Sequence, residues 1–252
     1  RHRILGVVNE PDYQIVFSDT PGVIKPVYGM QKSMMNFVNG SLVDADIILF
    51  VTDINEKYDE NDVIEKLQKT TSPVAVVVNK IDKSTEEQVK EKVAYWTELL
   101  KPSAIFATSA LHDHNVTAVM QFVLDGLPEH PPYYDKDTLT DKPQRFFVSE
   151  IIREKIFKLY DKEIPYSTEV IVTAYKEEAK IIRISTEIIV ERDSQKNIII
   201  GKAGEMLKKV GTYARKDMEE FLQKKVFLEL FVKVIPDWRN SKNYLKRFGY
   251  ED

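Results

Sequence analysis

Val74-Ala75-Val76-Val77-Val78-Asn79-Lys80-Ile81-Asp82 is the stretch whose reading decides the fold. A short apolar, β-branched run of this kind has the length of a buried strand, and the polar residues after it mark where the strand meets solvent. Two similar runs flank it, Ile47 to Thr52 before and Ala104 to Thr108 after, each separated from it by an amphipathic stretch (Val63 to Leu67 and Val89 to Leu100). Buried strands alternating with helices predict an α/β domain with a mostly parallel sheet covered on both faces. Such sheets bind ligands at their carboxyl edge, which is where Asn79 stands.

Upstream, Ile4, Gly6 and Val8 alternate with polar residues, as do Tyr13, Ile15 and Phe17, with Asn9-Glu10-Pro11-Asp12 between the two sets. That pattern predicts a two-stranded hairpin. Asp19-Thr20-Pro21-Gly22 follows, and then helical spacing of Met30, Met34, Phe37 and Val38, which reads as packing on a helix ending near Val43. Downstream, Leu127 to Pro143 carries Pro128, Pro131, Pro132 and Pro143 and reads as a linker. Beyond it the order changes: a helix from about Val148, strands Glu169 to Tyr175 and Lys180 to Glu191, a Gly-bounded loop, a helix from about Glu205 to Leu222, and a strand from Val226 to Ile235. That is a compact α+β domain. The expected boundaries are 1–126, linker 127–143, and 144–252.

Composition sets the wider limits. Of 252 residues, 43% are hydrophobic and 30% charged, a globular profile with enough apolar material for a core. No apolar run reaches the roughly 20 residues of a membrane-spanning helix. The absence of cysteine excludes disulfides, thiolate metal sites and cysteine nucleophiles. The net charge of −4 hides an asymmetry: Asn197 to Asp252 holds 12 Lys and Arg against 8 Asp and Glu, so a polyanion would bind at that end. His112 and His114 lack further donors at ligand spacing and are not expected to hold zinc.

Four short segments carry chemistry. In Asn79-Lys80-Ile81-Asp82 the carboxylate can accept two hydrogen bonds from guanine's ring N–H and exocyclic amine, which adenine does not supply. The Lys80 stem can lie over the base while Asn79 ties neighbouring loops together; the plainer reading is a helix cap at Asp82 or Ser84. Asp19 at a strand end can hold a magnesium-bound water, and Gly22 lets a backbone N–H approach a γ-phosphate, although Asp-x-x-Gly is also a common turn. Ser109-Ala110-Leu111 follows the next strand, where a backbone N–H could meet guanine O6. Gly201-Lys202-Ala203-Gly204, ahead of a helix bearing Lys208, Lys209, Arg215 and Lys216, lets a phosphodiester approach the backbone closely. Its plainer reading is a helix start with ordinary solvated lysines. The terminal Trp238, Arg239, Lys242, Tyr244, Lys246, Arg247 and Phe248 could stack bases or contact RNA, or could cap the last strand.

Together the first three segments resemble the third, fourth and fifth motifs of the translation-factor-related GTPases. Arg1-His2-Arg3-Ile4-Leu5-Gly6 with Asp19 to Gly22 resembles the Era family among them. Glu187 to Tyr250, with Ile200 to Gly204 and Val232-Lys233-Val234-Ile235-Pro236-Asp237-Trp238-Arg239, is similar to that family's type II KH domain, so the resemblance spans Arg1 to Tyr250. It implies a P-loop GTPase-type sheet followed by a KH domain, with GTP or GDP and Mg2+ as cofactors. Asp19 (through water, to Mg2+) and Gly22 would sense the γ-phosphate side; Asn79, Lys80 and Asp82 would read guanine; Ser109, Ala110 and Leu111 would support the base. Ile200, Gly201, Lys202, Ala203, Gly204, Lys208 and Lys209 would hold RNA. The implied partners are the 3′ end of small-subunit ribosomal RNA and the small ribosomal subunit, whose assembly the protein would serve. A monomer in the cytoplasm, peripheral at most at the inner face of the cell membrane, is expected.

Two further points matter, the second a departure from the family. Val23 stands where Ras-like enzymes place a water-orienting glutamine, as an apolar residue does in Era-like GTPases. No Gly-x-x-x-x-Gly-Lys-Ser/Thr occurs: Lys196 takes the first glycine's position ahead of Gly201-Lys202, and Ala203 replaces the hydroxyl. In the family, the first strand, the phosphate loop and the switch threonine precede the residue matching Arg1, so the sheet is expected to be incomplete at its amino end. These 252 residues alone are expected to bind GTP poorly and not to hydrolyse it. The competing expectation is a nucleotide-independent KH RNA-binding module.

Overall fold

The computed structural model describes residues 1–56, 62–161 and 163–250. Contacts gather the chain into two compact units. One holds residue 1, 20–25 and 35–135; the other holds 2–19, 26–34 and 136–252.

In the first unit, β3 (Ile48–Asp53), β4 (Val74–Asn79) and β5 (Ala104–Ala107) form a parallel sheet in the order β3-β4-β5. The central strand is β4, the apolar β-branched run, in which Ala75, Val76 and Val78 are fully buried. Helices α2 (Asp62–Lys69), α3 (Glu86–Leu100) and α4 (Val116–Gly126) alternate with the strands. Thr85 starts α3 as one half of a capping box with Gln88, Glu86 and Glu87 favour its first turn, and Lys101 ends it in the left-handed region. Its Trp96 is fully buried, edge-on to Phe50 at 5.2 Å between ring centroids, in a core with Ile48, Val63, Leu67 and Val76. Each such apolar side chain stabilises the unit by roughly 1.5–3 kcal/mol. Helix α1 (Gly29–Asp44) adds Val38 to this core, with Met35 packed against it.

The second unit begins with the antiparallel hairpin β1 (Ile4–Asn9) and β2 (Gln14–Asp19), closed by the Glu10 N–H donating to Tyr13 O at 2.9 Å. Residues 138–141 lie along β1: Val7 N–H donates to Leu139 O at 2.8 Å, and Leu5 N–H to the Asp141 carboxylate at 2.9 Å. Proline-rich composition did not foretell this strand-like pairing.

The remainder of that unit runs α5 (Gln144–Leu159), α6 (Ile164–Ser167), β6 (Glu169–Glu177), β7 (Ile181–Val190), α7 (Asp193–Ile200), α8 (Glu205–Leu222), β8 (Lys225–Val234) and α9 (Lys242–Arg247). Sheet order is β6-β7-β8, with β6/β7 antiparallel and β7/β8 parallel. The parallel pairing needs a crossover, which α7 and α8 supply. Helix α7 corrects the sequence reading, which placed only a loop after β7. The Gln195 side chain accepts from the Glu191 and Arg192 N–H groups (2.9 and 3.1 Å) and donates to Ser167 Oγ at 3.1 Å, which pins the helix start. The Ile198-Ile199-Ile200 run mimics a strand, but only Ile199 is fully buried, as one face of a helix requires.

The Tyr160 hydroxyl donates to Ile199 O at 2.7 Å beneath α7, and burial pushes it up to about 12. A raised folded-state pKa means that this stabilisation is intact below about pH 10, the ordinary tyrosine value, and is lost as pH rises through 12. In urea titrations between pH 9 and 12, Tyr160→Phe is therefore expected to flatten the wild-type decline by up to about 2–3 kcal/mol. Parallel curves for the two proteins would show that the shift contributes nothing.

At the carboxyl terminus the structure favours, for the aromatic residues, the second of the two readings, a cap. Trp238 is fully buried, edge-on to a buried Phe248 at 5.5 Å, beside buried Leu245 and Tyr250. These rings anchor α9 and are not available to stack bases.

Candidate functional site

The carboxyl ends of β3, β4 and β5 bring one constellation together. Asn79 closes β4, in register with Asp53 of β3. Its side-chain oxygen accepts from the Ala110 N–H at 3.0 Å and from Thr108 Oγ1 at 3.3 Å, so it ties the β4 and β5 loops together. Lys80 adopts a left-handed conformation (φ 63°), and its ammonium lies 2.7 Å from the Asp53 carboxylate. The Asp82 carboxylate accepts from Ser109 Oγ at 2.5 Å. Buried Ser109 is held in turn by a two-way backbone pair with His114 (3.2 and 3.0 Å). His114 thus serves this loop through its main chain. Among the described residues no group of three or more His, Cys, Asp or Glu side chains could hold a metal ion.

Electrostatics follow from these contacts. Hydrogen bonding to Lys80 holds the Asp53 carboxyl below its ordinary range and raises Lys80 in return; the Ser109 hydroxyl likewise lowers Asp82. At neutral pH Asp82 is therefore an ionised acceptor with lone pairs to spare, presented beside a cation. Of the three loop residues considered for contact with a base, Ala110 commits its N–H to Asn79 and Ser109 to His114. That leaves the N–H of Leu111, whose side chain is 79% exposed. Sequence reasoning missed Asp53; its signal was an acid closing the strand beside Asn79. Asp19 is the exposed last residue of β2, and Gly22 lies in the irregular segment before α1 with open space around its Cα.

The second constellation is the turn between α7 and α8. After Ile200, Gly201 (φ 71°), Ala203 (φ 52°) and Gly204 (φ 79°) all have left-handed φ. A side chain at Gly201 would place its Cβ 2.7 Å from Met206 Cβ and Cγ, so both conformation and space require glycine there. Gly204 caps α8 with no side chain to accept from its first turn; the Glu205 N–H donates to Lys202 O, and the N–H groups that follow it are the ones that face an anion at this helix end. Lys202 and Ala203 are exposed. Next to the turn runs a groove of about 410 Å³, floored by Leu207, Leu228 and Leu230 and edged by Lys208, Thr212 and Arg215. Gly204, Lys208, Gly211 and Arg215 follow helical spacing along it, and Gly211 lets α8 approach Leu230 closely. The groove omits Lys209, which is exposed elsewhere on α8. Leu228 and Leu230 were missed because alternation along β8 looks the same for a core face and a groove floor.

Known proteins resemble this chain in sequence and in fold. Residues 1–80 match the family described as 50S ribosome-binding GTPase, and residues 163–239 match the KH domain. GTPase Era of Geotalea daltonii is 44% identical over 254 residues, covering 100% of this chain and 86% of that protein. A crystal structure of Era in complex with MgGDPNP and nucleotides 1506–1542 of 16S ribosomal RNA superposes with a TM-score of 0.92 at 38% identity, covering 100% of this chain and 87% of that one. An Aquifex aeolicus Era variant bound to GDP and aluminium fluoride gives the same TM-score, identity and coverage.

Proposed function

Because this chain belongs to the Era family of GTPases, we propose that it is a guanine-nucleotide switch that binds the 3′ end of small-subunit ribosomal RNA and acts in assembly of the small ribosomal subunit. The observation that carries this reading is the presence, in one chain, of an ionised Asp82 braced by Ser109 and of the Gly201–Gly204 turn heading an apolar groove with a basic rim.

The base site fits guanine. Asp82 accepts from its two adjacent donors, Lys80 lies alongside with its position fixed by Asp53, and Asn79 holds the Ala110 loop in place. Asp19 would hold Mg2+ through water and Gly22 would approach the γ-phosphate; the metal supplies neutralisation of phosphate charge when bound. Val23 leaves water orientation to other groups. The 252 residues include no Gly-x-x-x-x-Gly-Lys-Ser/Thr, so by themselves they are expected to bind GTP weakly. The cytoplasm as location, a peripheral relation to the inner face of the cell membrane, and a monomeric state belong to the same proposal. Among the described residues no helix is long and apolar enough to cross a membrane.

In the RNA site, the four-residue turn and the α8 N–H groups would clamp phosphates while the groove takes about four nucleotides. The test is RNA affinity of the natural gene product with and without a non-hydrolysable GTP analogue. The analogue is expected to change affinity for a small-subunit 3′-end RNA by at least about 5-fold, the lower end of ordinary coupling energies. Affinity indifferent to nucleotide would favour the competing reading, a KH module that binds RNA independently.

A further inference from the structure

The cations of the carboxyl-terminal region fall into two classes. Lys224 pairs with Glu177, Lys225 and Arg215 with Glu219, Lys233 with Glu187, and Arg239 with Glu191. Lys242, Lys246 and Arg247 of α9 are exposed, and no ion pair holds them among the described residues. Residues 238–250 contain no Asp or Glu at all. Lys242 and Lys246, four apart, share one side of the helix, with Arg247 next to them. Beneath them, buried Trp238, Leu245, Phe248 and Tyr250 fix α9, so its charges are presented from a rigid base.

From this we propose that Lys242, Lys246 and Arg247 form a second RNA contact, which grips phosphates of the strand beyond the groove without reading its bases. The proposal rests on the RNA-binding reading above. Three observations choose RNA as the occupant. A KH groove takes about four nucleotides, whereas the related Era was crystallised with nucleotides 1506–1542, so most of such an RNA lies outside a groove of that size. The Arg239–Glu191 pair places the 238–240 turn at the amino end of α7, whose other end carries Gly201; eight helical residues span about 12 Å. A strand leaving the clamp can bridge that distance. A membrane surface, the other polyanion, calls for exposed apolar residues among the cations, but Leu245 and Phe248 point into the core.

The test compares wild type with Lys242→Gln/Lys246→Gln/Arg247→Gln on two probes: a 3′-end ribosomal RNA fragment of about 40 nucleotides, and a hexanucleotide that fills only the groove. For the long RNA, affinity at 0.1 M salt is expected to fall about 10- to 100-fold, and the slope of log K against log salt to drop by about 2, from three contacts near 0.7 each. Hexanucleotide affinity and the urea midpoint stay unchanged. Unchanged long-RNA affinity overturns the proposal, as does equal loss on both probes. Loss of binding to phosphatidylglycerol vesicles with RNA affinity intact also overturns it and assigns α9 to a membrane. The groove reading is tested separately by aspartates at Lys202 and Ala203: if those leave the hexanucleotide bound while the α9 variant behaves as expected, the clamp fails and the α9 site stands.

Discussion

The double substitution Lys202→Asp/Ala203→Asp is expected to weaken binding of a small-subunit 3′-end oligonucleotide by at least about 100-fold while leaving the fold intact. Both side chains are exposed, and neither contributes to the core beneath α7 and α8. Ala203 sits at φ 52°, a conformation that aspartate adopts more readily than most side chains, so the turn keeps its shape. What changes is charge. Lysine to aspartate shifts the turn by two units and alanine to aspartate by one, directly in front of the amino terminus of α8. A like charge near a phosphate at a solvated surface costs on the order of 1 kcal/mol, so three units approach 3 kcal/mol, a factor of about 100. Fluorescence anisotropy measures the loss, and an unchanged urea midpoint separates it from unfolding. Affinity equal to wild type would remove the clamp from the proposed function.

How much of this was legible beforehand depends on the length scale of the interaction. Both three-stranded sheets could be read because period and β-branching are local: the run from Val74 to Val78 needs no partner to declare itself buried. The placement of the residues proposed to read guanine was legible for a related reason, since a strand end fixes where Asn79, Asp82 and Ser109 must lie. Their bracing was not. The Asp53–Lys80 pair and the Asp82–Ser109 bond join residues 27 apart in sequence, through a parallel register that no local pattern encodes. Helix α7 was hidden because its three isoleucines carry strand propensity, and the override comes from Gln195 reaching Ser167, 28 residues away. Trp238 and Phe248 show the same limit in reverse. Aromatic residues among cations suggest base stacking in sequence, but only packing shows that these two face inward.

The base site should change its specificity when a single atom is replaced. Asp82→Asn is expected to lower the affinity of the natural gene product for GTP by about 10²- to 10⁴-fold and to raise its affinity for the xanthine nucleotide. Hydrogen bonds to a charged group contribute about 1.5–3 kcal/mol each, and guanine would make two to this carboxylate, so 3–6 kcal/mol is at stake. An amide keeps one acceptor and turns a donor toward guanine's exocyclic amine, a repulsive pairing. Xanthine carries a carbonyl at that position and accepts from the same amide. The bracing makes the substitution clean, because Ser109 Oγ bonds to either an amide or a carboxylate and the bonds from Thr108 and Ala110 to Asn79 do not involve Asp82. The Ser109 hydroxyl also holds the Asp82 carboxyl below its ordinary range, so the wild-type preference for guanine should persist at a pH where an unbraced aspartate would begin to protonate. Competition between guanine and xanthine nucleotides at pH 7 and near pH 4.5 reads both effects. Retention of guanine selectivity by the asparagine variant would show that recognition lies elsewhere in the loop, with the N–H of Leu111 the next group to examine.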